Sequence, residues 1–186
     1  MKRLDQCLSL FAIVLSLAVP TSSVAKSHAS HKHGAKQPDA ASVGKYPTVS
    51  IHSGKPSADK AAGVKYLDAA QREERRVTIR DGLVYDYTGA LLRETKSKRH
   101  NLNNYVMDAE GNFYLFDEFT TPDIRHSSIF AGGPVAGAGN IQIADGKVVY
   151  IDSDSGHYPS TRVFANVLAE LRARGVDVAA ITQKKP

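Results

Sequence analysis

Cysteine is the first scarcity. The chain of 186 residues holds one, Cys7, and it sits in a leader that export would remove. A disulfide, a thiol nucleophile and a zinc–thiolate site are therefore closed to the mature protein. Cys7 also precedes the apolar run instead of following it, which argues against a lipid-attached N-terminus. Long hydrophobic runs are missing as well. The longest, Leu8 to Val19, falls well short of the roughly 20 apolar residues a spanning helix needs, and Pro20 ends it. Once the leader is cleaved, no membrane span is expected. There is no internal repeat, nucleophile elbow or HxxxH pair. Gly132 to Gly137 has the GxxxxG spacing of a phosphate loop, but Ala138 and Gly139 stand where Lys and Ser or Thr are required, which excludes one. Charge of one sign is not concentrated either: 24 basic residues face 19 acidic ones, a net +5. Those charges are dispersed, so a generic solvated surface is favoured over specific nucleic-acid binding.

What is present begins with an export signal. Lys2 and Arg3, the apolar run, and Ser23-Val24-Ala25 are the three parts of a secretory leader, with cleavage expected after Ala25. Residues 1–25 are thus read as a signal peptide, and the product as periplasmic or extracellular. Losing Lys2, Arg3 and Asp5 lowers the net charge by one. From 26 to 63 the composition turns to Ser, Ala, Lys, Gly, Pro and His, which cannot bury enough apolar surface to offset ordering, so a disordered linker is expected. His28, His31 and His33 within it could capture copper, nickel or zinc weakly. A solubilising linker outweighs that reading, because a flexible tract supplies no fixed second shell. No metal or cofactor is expected.

Residues 64–186 have the size of one domain. Their apolar runs alternate with turn signals. VTIR and LVYDY flank Asp81-Gly82, NYVMD and FYLFDE flank 109–112, and NIQIA and KVVYID flank Asp145-Gly146, giving three expected hairpins. Asp68 is placed to cap a short helical turn. From Ser160, an expected N-cap, Val163, Phe164, Val167, Leu168 and Leu171 recur at helical spacing until Gly175, and Val176, Val178 and Ile181 follow as a short extension packing back. The expected fold class is α+β: a mainly antiparallel sheet with one C-terminal helix packed on it.

Between the second and third hairpins, Gly132, Gly133, Gly137 and Gly139 cluster, which suggests positive φ or close backbone approach, most simply in a bent or bulged strand. His126-Ser127-Ser128 precedes them; Asp152, Asp154, Ser155, Gly156, His157 and Tyr158 follow the third hairpin. On a strand, His126 and Ser128 would share a face, and the hairpin could return His157 beside them. Functionally, a histidine would act as base, Ser128 or water as nucleophile, and Asp152 or Asp154 as the group orienting the imidazole. Structurally, Ser155-Gly156 would turn the chain, with His157 and Tyr158 bonding the loop. The structural reading carries more weight.

Four blocks, KYLDAAQREERRVTIRDGLVYDYTG, RHSSIFAGGPVAGAG, DGKVVYIDSDSGHYPS and RGVDVAAI, resemble, in that order, the C-terminal region of the plant IQM family, calmodulin-binding proteins with a single IQ motif. The resemblance runs from about Tyr66 to Ile181. It implies the fold and the place of the unusual segment. Calmodulin binding does not follow, because Ile141-Gln142 lies in an expected strand without the basic spacing of an IQ helix. Asn140, where an acidic residue is expected, and Pro159 depart from the family's pattern. Two functions remain open. One is a non-catalytic interaction module that recognises a protein or cell-envelope ligand through Ser127, Gly132, Gly133, Ser155, Gly156 and Tyr158. The other is a secreted hydrolase, transferase or toxin-like effector using His126, Ser128, His157 and Asp154.

Overall fold

The computed structural model describes residues 44–97 and 101–184. The leader, the histidines at 28, 31 and 33, and the linker up to residue 43 lie outside the described residues.

Short helices open the described chain, α1 (Lys55–Ala61) and α2 (Ala69–Glu73). Asp68 caps α2 as expected: its carboxylate accepts from Gln71 N at 2.9 Å, while Gln71 Oε1 accepts from Asp68 N. The strands are β1 (Arg76–Arg80), β2 (Leu83–Tyr85), β3 (Asn103–Met107), β4 (Phe113–Phe116), β5 (Gly137–Ala144), β6 (Lys147–Asp152) and β7 (Thr182–Lys184). They form one sheet in the order β2-β1-β4-β3-β5-β6-β7. Tight turns at Asp81-Gly82 and Asp145-Gly146 place both residues at positive φ, which matches the twist of the flanking strands.

The sheet is mainly antiparallel, as expected, with β7 alone running parallel to its neighbour β6. It also curls: Val84 N of β2 donates to Gly146 O at 2.9 Å, bringing the edge strand against the β5–β6 turn. Alternating side chains therefore serve two cores. Tyr105, Met107, Phe113, Leu115, Ile141 and Ile143 fill one. Val106, Tyr114, Phe116 and Ala138 join Ile129 and Tyr158 in the other. With both faces buried, β4 reads FYLF without polar alternation.

Helix α3 (Phe164–Ala173) buries Phe164, Val167 and Leu171 in the first core. It is shorter than its periodicity suggested. Ser160 begins a 3-10 turn, Ser160–Val163, instead of capping the α-helix, and its hydroxyl donates to Tyr158 O at 3.3 Å.

Residues 44–63 correct the expected linker boundary. The described residues, from 44 onward, cluster as one unit. Tyr46 N donates to Ala109 O, and Val49 and Val135 exchange backbone bonds of 2.8 and 3.1 Å. Composition averaged over the segment hides its anchors: Tyr46, Val49 and Ile51 all pack against the cores.

Candidate functional site

Glycine in the 132–139 block answers specific steric demands. Gly132 sits at φ +79°, and its N–H donates to Ser127 O at 2.9 Å. A Cβ on Gly137 would lie 2.3 Å from Val167 Cγ2, and one on Gly139 only 2.2 Å from Asp152 O. These glycines let α3 and the end of β6 approach the backbone of β5. The register of β5 against β6 shifts between Gln142 and Ile143, a bulge beyond the glycines themselves.

His126-Ser127-Ser128 forms a 3-10 turn where a strand was expected. Ser128 Oγ closes it by accepting from Arg125 N at 2.9 Å, a local bond that competes with extended pairing. Ser128 is thereby a turn residue and not a strand neighbour of His126. The His126 ring is buried, stands edge-on to Phe116 at 5.4 Å, and places Nε2 3.1 Å from Gly139 O. A carbonyl accepts only, so Nε2 carries the proton. Burial drives the imidazole pKa down to about 4, opposed by the bond to Gly139 and assisted by His157. His126 is neutral at neutral pH.

The Ser155–Tyr158 loop comes back beside it. Ser155 Oγ accepts from Tyr158 N at 3.3 Å and from His157 N at 3.4 Å. The Tyr158 hydroxyl donates to Gly133 O at 2.9 Å, tying this loop to the glycine block, and burial pushes its pKa up. Gly156 is exposed, with open space where a Cβ would be. The His126 and His157 rings are 6.4 Å apart, so the two histidines converge.

The carboxylate bonded to His157 is neither Asp152 nor Asp154. Asp152 is occupied by Asn140 N at 2.8 Å, Asp154 N at 2.9 Å, the Asn140 amide and the Tyr150 hydroxyl. Asp154 is exposed at the wall of a separate cleft. The partner is Asp59 of α1, 4% exposed, a residue sequence reasoning assigned to the linker. His157 Nε2 donates to Asp59 Oδ1 at 3.0 Å. Ser127 Oγ donates to Asp59 Oδ2 at 2.6 Å, and the Tyr66 hydroxyl approaches the same oxygen at 3.4 Å. The only local signal was Pro56 near the start of the stretch Lys55–Ala61, a helix start inside a polar segment.

Chemically, this is a closed donor–acceptor cluster. In the bonds described, neither Ser127 nor Ser128 gives its hydroxyl to an imidazole, as a base-activated nucleophile would. A cleft of about 210 Å³ opens on the same sheet among Asn104, Glu118, Asn140, Tyr150, Asp152 and Asp154. A second, of about 530 Å³, lies beside Lys45, Arg80, Glu170 and Arg174. Neither is lined by His126 or His157. Among the described residues no three His, Cys, Asp or Glu side chains are placed to hold a metal ion.

Two comparisons with known proteins bear on this geometry. The family model described as the IQ motif-containing protein middle domain matches residues 71–163. The IQ domain-containing protein IQM2 of Arabidopsis thaliana is 27% identical over 118 residues, which cover 62% of this chain and 19% of that relative. The chain thus matches about a fifth of the relative's length, and the model places the likeness in the family's middle domain. No solved structure matches significantly. The matched interval contains His126, Ser127, Ser128 and His157 but stops short of Tyr66 and Asp59.

Proposed function

The chain belongs to the IQ motif-containing protein family, whose middle domain it carries, and on that premise we propose that it is an exported, non-catalytic binding module. Its recognition surface is the face built by the His126–Gly133 segment and the Ser155–Tyr158 loop. One observation carries the reading: the hydroxyls and imidazoles that would do nucleophilic chemistry bond a carboxylate or the backbone instead of one another. The bonds commit these side chains to positioning the two loops, which suits a binding surface better than a reacting group that must exchange protons. Calmodulin is not the expected partner. Ile141 is buried in β5 opposite Ile151, so the Ile141-Gln142 pair is not helical and its isoleucine is not accessible. Among the described residues no helix is long and apolar enough to cross a membrane.

Export rests on the leader and is tested by N-terminal sequencing of the protein recovered outside the cytoplasm, which should begin at Lys26. Binding is tested by passing that protein over arrayed acidic and neutral oligosaccharides and peptides, then eluting and weighing whatever is retained. Saturable retention with the ligand unaltered is the expected result. A ligand recovered cleaved or modified would overturn the reading in favour of an enzyme with His157 as its base.

A further inference from the structure

We propose that Ser127, His157 and Tyr66 form a carboxylate-binding site that Asp59 occupies in cis, with α1 acting as a strap across it. The inference rests on the binding-module reading and assigns that module its ligand chemistry.

The first support is the donor set. Ser127 Oγ, His157 Nε2 and the Tyr66 hydroxyl reach one carboxylate from three places in the chain, at 2.6, 3.0 and 3.4 Å. Bonds to an ionised acceptor are stronger than neutral ones, and a convergent set of donors preorganises the site for that acceptor. Ser127 is fully buried, its backbone fixed by the Gly132 N–H and its neighbour's hydroxyl closing the turn. His157 is held by Ser155 Oγ, which accepts from its backbone N–H at 3.4 Å. The receptor half of the cluster is therefore built into the domain without help from Asp59.

The second support is how little else holds α1. In its seven residues Asp59 is the one buried side chain. A helix that short is unstable alone, and this one has almost no apolar burial to compensate. It is fastened by a polar latch and by backbone bonds at its flanks, at His52 N to His157 O and Lys65 N to Asp123 O. A latch of hydrogen bonds to a carboxylate can be exchanged for a chemically equal latch to another carboxylate, whereas an apolar helix face could not be displaced so cheaply. The third support is placement. The donors Ser127 and His157 lie within the matched family domain, and the strap lies outside it. The chain's excess of basic residues also favours an anionic partner over a cationic one.

Expected ligands are those presenting a free carboxylate, which would displace Asp59 and release α1. The test uses the full chain with sodium acetate as the probe, sodium chloride as the ionic-strength control and inorganic phosphate as a tetrahedral anion. Two readouts are followed: the nitrogen resonances of the His157 ring, and hydrogen exchange at Ala58, Ala62 and Val64, whose amides are bonded within or just after α1. In Asp59→Ala these amides should exchange roughly tenfold faster than in the wild type. Acetate should shift the His157 ring saturably in that variant, with an apparent affinity roughly tenfold above the wild type, where Asp59 competes. Adding Ser127→Ala should abolish saturation. Asp59→Asn, which preserves the shape, guards against loss of fold. The wild type alone supplies a variant-free arm, since acetate should accelerate α1 exchange there while the β3 and β5 amides stay protected.

Flat α1 exchange with acetate in the wild type would overturn the strap. An unresponsive His157 ring in a folded Asp59→Ala or Asp59→Asn protein, or equal responses to acetate, phosphate and chloride, would overturn the carboxylate site. These failures remain separable from failure of the module. If arrayed ligands are still retained unaltered, the module stands with its ligand elsewhere; if acetate binds but retained ligands are recovered cleaved, the site stands and the module falls.

Discussion

Acid should destabilise this fold through one side chain, His126, before its carboxylates titrate. Burial lowers the imidazole pKa from its ordinary 6.5 to about 4, because the ring lies among Phe116, the Gly139 carbonyl and the His157 ring with little access to water. Between those two values the unfolded chain takes up a proton that the folded one refuses. Stability is therefore untouched above pH 6.5, falls as pH drops from 6.5 to 4, and levels off for this group below 4. A difference of about 2.5 pKa units is worth about 3 kcal/mol, most of it lost by pH 4.5. Glu170, whose pKa is lowered by its bonds to Lys45, Tyr46 and Arg174 against the opposing effect of burial, acts in the same direction but only below its ordinary 4.5. The assay is urea denaturation at fixed ionic strength, at pH 7.5 and 4.5, for the wild type and His126→Gln, whose amide can still donate to Gly139 O. The wild type should lose about 2.5 kcal/mol more than the variant over that interval. Parallel pH profiles would refute the assignment, since they would mean that the neutral, buried imidazole is not what acid attacks.

Other perturbations read the remaining structure. Gly139→Ala should cost about 3 kcal/mol in urea denaturation, because its Cβ would meet the Asp152 carbonyl that already accepts from the Tyr105 hydroxyl at 2.8 Å. Gly156→Ala, which meets nothing, should stay within about 0.5 kcal/mol; equal costs at the two positions would show that close approach is not the reason for the glycine. Asp68→Ala removes the carboxylate half of the α2 capping box, the acceptor of the Gln71 N–H, and should lower stability by about 1 kcal/mol, with faster exchange at the Gln71 amide as its local signature.

The parts legible in the sequence were those whose cause is local. Asp81-Gly82 and Asp145-Gly146 need left-handed φ at both residues, and that demand is written in two adjacent letters. Phe164, Val167 and Leu171 mark the buried face of α3 because helical spacing repeats along one element. The glycine cluster announced close approach, although not that the approaching atoms would be Val167 Cγ2 and Asp152 O. What stayed hidden depends on partners far along the chain. Thr182–Lys184 has no apolar alternation and becomes a strand only because β6 offers it an edge. His126 leaves the extended conformation because Ser128 finds the Arg125 N–H, a competition between local bonds that periodicity does not weigh.

Asp59 is the most instructive of these. A linker is inferred by averaging hydrophobicity over many residues, and averaging cannot register one carboxylate whose burial is made favourable by donors 68 and 98 positions away. The sequence reading places Asp152 or Asp154 against the imidazole, whereas the structure places Asp59 on His157. Exchanging Asp154 for Asp59 changes the chemistry as well as the address. An acid on the adjoining loop would travel with the histidine, whereas one on α1 can leave. The imidazole is held by a helix whose seven residues bury no other side chain, so the cluster couples the position of α1 to whatever competes for its donors.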